Sequence, residues 1–273
     1  MHHQDQRIGK NIVITGASRG IGRALALEFL KSGCSVCIAG RHSATLQETV
    51  RTLSGESKNS HVRGVVCDVT RLEDLEKLWV AATEDLPVDV WINNAGINQM
   101  RHLFHELDPS LISGIVDTNI RGSLLGSRVA IEGMLKQGSG MVYNMEGFGS
   151  NGRILKGMTI YGTSKNAIRY FTRSLIKEYR HTRIGIGSIS PGMVVTDMLL
   201  EPLRLEPDEN RGALKVFHLL ADPADRVTPW IVGKILGNSR HGVHITWLTR
   251  GKIVRRLLWG MFKKRKVKGL PVF

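Results

Sequence analysis

The chain has 273 residues, 42% of them hydrophobic, and a formal net charge of +14. That length holds one large α/β domain with a sizeable core, and the composition excludes a disordered chain. No apolar run is long enough to span a membrane, and the opening MHHQDQRIGK lacks the apolar segment of a secretory signal.

In chain order, the first apolar run is NIVITG (11–16), a predicted strand. It leads into Thr15-Gly16-Ala17-Ser18-Arg19-Gly20-Ile21-Gly22 and a predicted helix over 21–32. A Gly-rich turn between a strand and a helix lets backbone approach a pyrophosphate, and the helix N-terminus offers free N–H groups. The next strand, SVCIAG (35–40), ends in Gly40-Arg41-His42, where an acidic residue would read a ribose 2′-hydroxyl. Arg41 can instead fork onto a 2′-phosphate, and Arg19 can approach the same group, which points to NADP(H). Cys34 and Cys37 have C-x-x-C spacing, but positions i and i+3 of a strand face opposite sides. With Cys67 they read as reduced, buried thiols, and no metal site is expected.

After a helix over 43–53, the third strand (61–69) ends in Asp68-Val69, suited to an adenine. After a helix over 71–83, the fourth (88–96) ends in Asn93-Asn94-Ala95-Gly96, a tight polar turn against the nucleotide. Helical periodicity covers about 109–137, a strand is predicted at GMVYNM (140–145), a helix over 160–180, and a strand at 184–192. The strands are continuously rather than alternately apolar, as in a sheet buried on both faces. Strand–helix alternation predicts a single Rossmann-type, doubly wound parallel sheet, with its site at the carboxyl ends of the strands. Residues 197–228 break the rhythm and read as a short helical lid or a surface excursion.

Tyr161-Gly-Thr-Ser-Lys165 places a phenol and an ammonium one helical turn apart. The lysine's charge is expected to lower the tyrosine's pKa and make it an acid in carbonyl reduction and a base in reverse. Together TGASRGIG, Asp68-Val69, NNAG, Asn119, YGTSK and Pro191-Gly192 resemble the short-chain dehydrogenase/reductase family over about residues 10–250. The resemblance implies that Lys165 also holds the nicotinamide ribose, that Asn119 anchors a water in the proton path, and that Pro191, Gly192, Val194 and Thr196 flank the nicotinamide and its phosphates. It places Gly16, Ser18, Arg19, Gly20, Ile21, Gly22, Arg41, Asp68, Val69, Asn94, Ala95 and Gly96 along the rest of the cofactor. It also implies a homo-oligomer.

One element departs from the family pattern. The serine expected 13 residues before the tyrosine is Phe148 here. Aligning Asn144-Met145 with the start of N-x-S-S puts Glu146 and Gly147 at the serine positions, in a loop one residue longer. Ser150 is the nearest hydroxyl and the candidate replacement; Tyr161 with a backbone N–H is the alternative. Glu146 is expected as an exposed loop carboxylate. The same departure, with Ser190-Pro-Gly-Met-Val-Val-Thr-Asp197, resembles the chlorophyll b reductase branch, which reduces a formyl group on a chlorin with NADPH. The resulting expectation is an NADPH-dependent carbonyl reductase of a large hydrophobic substrate. The alternatives are a reductase of lipid, steroid or polyketide ketones, or an NADP-binding sensor or scaffold.

Residues 250–273 hold nine Lys/Arg and no acid, a tail distinct from the domain at 1–249. On a helical wheel Ile253, Val254, Leu257, Leu258, Met261 and Phe262 share one half, and Lys252, Arg255, Arg256 and Lys263 fall in the other, beside Trp259. A basic amphipathic helix of this kind reads as a membrane-surface element drawn to anionic lipid, or as a helix docked on the body. No nucleic-acid recognition motif accompanies the charge. The location expected is the cytoplasm or plastid stroma, with peripheral attachment to a membrane.

Overall fold

A computed structural model describes residues 9–57, 61–99, 101–205, 211–262 and 265–270. Seven strands form one parallel sheet: β1 (Asn11–Ile14), β2 (Ser35–Gly40), β3 (Val62–Val66), β4 (Val90–Asn93), β5 (Gly140–Met145), β6 (Ile184–Ser190) and β9 (Val243–Thr246). Their order is β3-β2-β1-β4-β5-β6-β9, which reverses between β1 and β4. A separate parallel pair, β7 (Val194–Val195) and β8 (Asp222–Pro223), sits beyond the end of β6. The helices are α1 (Gly20–Lys31), α2 (Ser43–Glu56), α3 (Leu72–Thr83), α4 (Pro109–Ile115), α5 (Gly122–Gln137), α6 (Thr159–Glu178), α7 (Asp197–Leu205), α8 (Arg211–Leu220), α9 (Ala224–Leu236) and α10 (Arg250–Phe262).

The sheet divides two cores. Ile12 and Ile14 of β1 point into one, with Leu25 and Phe29 of α1 and Ile231 and Ile235 of α9. Val13 points into the other, with Trp91, Leu75 and Leu78 of α3, and Ala130 and Met134 of α5. Successive side chains reach opposite faces, so a strand covered on both sides must be apolar throughout. Cys34 and Cys37 fall in different cores, and burial pushes the Cys37 thiol up to about 12.

The single helix expected over 109–137 is interrupted. Residues Val116–Arg121 form a π turn between α4 and α5, and this irregular turn carries Asn119. The last sheet strand, β9, was not marked by the periodicity. It is four residues long and pairs with the edge of β6. Among the described residues no helix is long and apolar enough to cross a membrane.

The segment after β6 is tied to the C-terminal tail through one carboxylate. Asp222, fully buried, accepts from Trp247 Nε1 at 2.7 Å and Arg256 Nη2 at 2.6 Å, and also pairs with Arg265. Burial alone would push this carboxyl up; the hydrogen bonds from Arg256 and Trp247 and the charges of Arg256 and Arg265 outweigh it and hold it below the usual carboxylate range. Val267 and Leu270 of the tail are buried in a small third core with Leu214 of α8 and Ala221.

This anchoring turns α10 opposite to an ordinary amphipathic helix. Arg256 faces inward, and Lys252 lies 3.0 Å above the centroid of the Trp247 ring. Val254, Leu257 and Leu258 are about half exposed, and Trp259, placed by the wheel beside the charged half, is 69% exposed with them. Met261, Phe262 and Lys263 lie outside the described side chains.

Candidate active site

At the switch between β1 and β4, the Gly-rich turn forms as expected. Gly16 and Gly22 leave no room for a Cβ against Ala95 and Asn94, whereas Gly20, at φ +61°, faces open space toward Thr196. α1 begins at Gly20, and no side chain caps its first N–H groups. This open, donor-lined cradle fits a pyrophosphate. Asn94 braces it from within: its Nδ2 donates to the carbonyls of Thr15 and Gly16 at 2.9 and 3.0 Å. The Cα of Gly40 lies close against Ser18, which brings Arg41 beside the turn that carries Arg19; both arginines are exposed. The Asp68 carboxylate accepts from the backbone and hydroxyl of Thr70, and Val69 is buried against Gly122 of α5. Pro191 is buried, Gly192 packs on Leu248, and Thr196 lies beside Gly20 of the cradle.

At the neighbouring end of β5, the structure brings Tyr161, Lys165, Asn119 and Gly96 together. Lys165 Nζ is 5.8 Å from the centroid of the Tyr161 ring. A Cβ on Gly96 would meet Asn119 Oδ1 at 3.2 Å and Lys165 Nζ at 3.5 Å. Asn119, fully buried, accepts from Ile97 N at 2.8 Å and donates to Ile97 O and Ser164 Oγ, each at 3.0 Å.

Gln99 belongs to this site, and no sequence pattern marked it. Its side chain is buried, its Oε1 accepts from the N–H groups of Ile160 and Tyr161 at 3.0 and 3.1 Å, and its Nε2 donates to Gly157 O at 2.8 Å. It caps the start of α6 from another segment and fixes the backbone that carries Tyr161. The partners lie about sixty positions away, so spacing could not have revealed them.

Two expectations at this end are corrected. Burial pushes the Tyr161 hydroxyl up to about 12, rather than the lysine drawing it down. Burial also pushes Lys165 down to about 8, partly opposed by the charge of Glu146. Glu146 is not an exposed loop carboxylate but is 3% exposed, facing inward from the loop after β5. It could not be read as buried because its partners come from α6 and β9.

Gly147 accounts for the missing serine in space. A Cβ there would lie 2.6 Å from the Tyr161 hydroxyl and 3.1 Å from Lys165 Cγ. The backbone of the loop occupies the place beside the phenol where a side chain would otherwise reach. Ser150, the candidate replacement, is buried, and its Oγ donates to Glu146 Oε2 at 3.0 Å.

Asn98 Nδ2 donates to Met198 O at 3.3 Å, and Gly157 packs on Arg101. Large apolar side chains are exposed in these segments: Phe104 is 55% exposed, Met198 40% and Ile154 96%.

A family model described as short chain dehydrogenase matches residues 10–204. A protein of Oryza sativa subsp. japonica named as a probable chlorophyll(ide) b reductase, NYC1, is 36% identical over 267 residues, covering 91% of this chain and 52% of that protein. The chlorophyll(ide) b reductase NOL of Arabidopsis thaliana is 35% identical over 272 residues, covering 94% and 76%. The chain thus spans about half the length of the NYC1 relatives it matches. Among solved structures, levodione reductase superposes with a TM-score of 0.80 at 25% identity, covering 90% of this chain and 98% of that one. An actinorhodin polyketide ketoreductase solved with NADPH gives a TM-score of 0.76 at 24% identity, covering 87% and 96%, a likeness of fold.

Proposed function

The chain belongs to the short-chain dehydrogenase family, and from that premise we propose that it is an NADPH-dependent reductase of a bulky apolar carbonyl compound, with a formyl chlorin of the chlorophyll b kind as the leading substrate. The family makes it an oxidoreductase of carbonyl or alcohol groups that uses a nicotinamide cofactor. The observation that carries the substrate class is the exposure of the large apolar side chains Phe104, Ile154 and Met198, on segments tied to the site through Asn98, Gln99 and Gly157, which suits a large hydrophobe. The chlorophyll(ide) b reductases among the relatives support the same reading.

When bound, the nicotinamide supplies the hydride. In this reading Gly16, Gly20 and the start of α1 hold its pyrophosphate, and Arg19 and Arg41 take the 2′-phosphate. Tyr161, whose raised pKa keeps its hydroxyl protonated at neutral pH, gives its proton to the carbonyl oxygen. Lys165 stabilises the phenolate that remains, and Asn119 keeps the π turn and Ile97 in place around it. Ser150 acts through Glu146, to which its hydroxyl is committed.

The purified protein should oxidise NADPH with chlorophyll b and yield the hydroxymethyl product, resolved by chromatography. NADH should be a poor donor, and Arg41→Ala should reduce the preference for NADPH about tenfold or more. Turnover of steroid or polyketide ketones without turnover of the chlorin would move the substrate assignment to those ketones.

The tail adds a peripheral attachment. Val254, Leu257, Leu258 and Trp259 face outward, with Arg250, Arg255, Lys266 and Lys268 exposed around them, a combination complementary to an anionic lipid surface. In flotation assays the protein should rise with phosphatidylglycerol vesicles and stay behind with phosphatidylcholine ones, and Leu257→Asp should abolish the difference. Equal recovery on both vesicles would remove the attachment.

A further inference from the structure

The three residues that follow Gly96 each bond to a different part of the site. Ile97 is locked to the π turn: its N–H donates to Asn119 Oδ1 and its carbonyl accepts from Asn119 Nδ2. Asn98 Nδ2 donates to Met198 O of α7. Gln99, 1% exposed, reaches the start of α6 and the loop before it at once.

The first turn of a helix has backbone donors with no partner inside the helix, and such donors must be met from elsewhere when water is excluded. Met158, at the N-cap of α6, makes no side-chain cap bond. Gln99 Oε1 takes the place of that cap. Both of its lone pairs are engaged, by Ile160 N at 3.0 Å and Tyr161 N at 3.1 Å. The Nε2 group then faces Gly157 O, to which it donates at 2.8 Å. The amide stands this way round because the reverse would set an NH2 group against two N–H donors. Gly157, at φ +81°, also touches the backbone of Arg101, which a Cβ would meet at 3.1 Å. The same loop leans on α6 at Gly149, where a Cβ would lie 2.6 Å from Gly162 Cα.

We propose that Gln99 is a positioning residue with two tasks divided between the two ends of its amide. Its oxygen sets the Tyr161 phenol against the carbonyl by fixing the backbone that carries it. Its nitrogen holds the loop that bears Ile154 in register with that phenol, through Gly157. The inference rests on the reading of Tyr161 as the proton donor. A small displacement of a reacting group costs rate, whereas a loosened binding loop costs substrate affinity, so the two tasks have different kinetic signatures.

Gln99→Leu removes all three bonds. With chlorophyll b as the probe it should lower kcat about a hundredfold and leave NADPH affinity near wild type. Its solvent isotope effect on kcat should rise, because the proton step then limits the rate. Gln99→Glu keeps an oxygen for both N–H groups but loses the donor to Gly157. It should recover most of the kcat and raise KM about threefold to tenfold. A cap of purely structural importance would lower the melting temperature without this split. Gln99→Leu with kcat near wild type overturns the proposal, and so does Gln99→Glu as slow as Gln99→Leu. Should Gln99→Leu fail to fold, the split in Gln99→Glu carries the test, and an unchanged KM there overturns it. A readout that needs no substrate is the Tyr161 ring signal in NMR, identified by its absence in Tyr161→Phe. It should shift in Gln99→Leu and stay in place in Gln99→Glu; an unmoved signal in Gln99→Leu overturns the proposal whatever happens to turnover. A shifted signal in a protein that reduces no carbonyl compound would support the hold on Tyr161 and reject the reductase reading alone.

Discussion

Tyr161→Phe should lower the rate of carbonyl reduction by about a thousandfold while leaving NADPH binding near wild type. The phenol is the proton source in the proposed reaction, and its raised pKa means that it is loaded with a proton throughout the neutral range. The cradle at Gly16–Gly22 lies on the first crossover and makes no demand on that hydroxyl, so affinity and rate should separate. Stopped-flow NADPH oxidation gives the rate, and cofactor fluorescence gives the affinity. Equal turnover in the variant would show that the carbonyl oxygen takes its proton elsewhere. The substitution removes a single oxygen from a partly exposed ring, so an effect on folding is not expected.

Asp222→Ala should destabilise the protein by about 3–5 kcal/mol, because it leaves two guanidinium groups facing a hole where their carboxylate was. Arg256 is 11% exposed at its side chain and Arg265 26%, so water can solvate them only in part. For a chain of this size the melting temperature should fall by about 10 °C, measured by calorimetry or circular dichroism. A linked pH effect follows from the lowered carboxyl pKa. The stabilisation is present above the unfolded-state value and is lost as pH falls through the folded one, so wild type should weaken below about pH 4. Asp222→Asn should lack that part of the acid-side loss. A variant as stable as wild type would mean that the tail contributes little to the body.

Much of the scaffold was legible because each buried strand must carry apolar residues on both faces, as Ile12, Val13 and Ile14 do. The Gly-rich turn was legible for a related reason: backbone contact leaves glycine as the residue that fits. What stayed hidden depended on partners far apart in the chain. Glu146 looked like a loop acid because Arg169 and His244 lie 23 and 98 positions away. The wheel of α10 did not match its faces: Ile253 is half-buried with Lys252 and Arg256, while Arg255 and Trp259 are exposed with Val254, Leu257 and Leu258. The inward turn of Arg256 is made by Asp222, a carboxylate more than thirty residues upstream. Gln99 and the π turn at Asn119 were hidden for the same cause, since neither leaves a periodic trace.

The closing position of β9 sets an order of assembly during synthesis. The strands that build the nucleotide cradle, β1 to β4, are complete by Asn93 and form one contiguous half of the sheet. The other half waits: β6 has an open edge until residues 243–246 emerge, and Asp222 has the exposed Arg226 beside it but lacks Arg256 and Arg265 until they follow. A ribosome-bound chain therefore acquires its dinucleotide end first and its substrate end last. A premature stop after Thr249 would leave β6 paired but Asp222 without its two closest cations, Arg256 and Arg265, a product destined for proteolysis rather than a shortened enzyme.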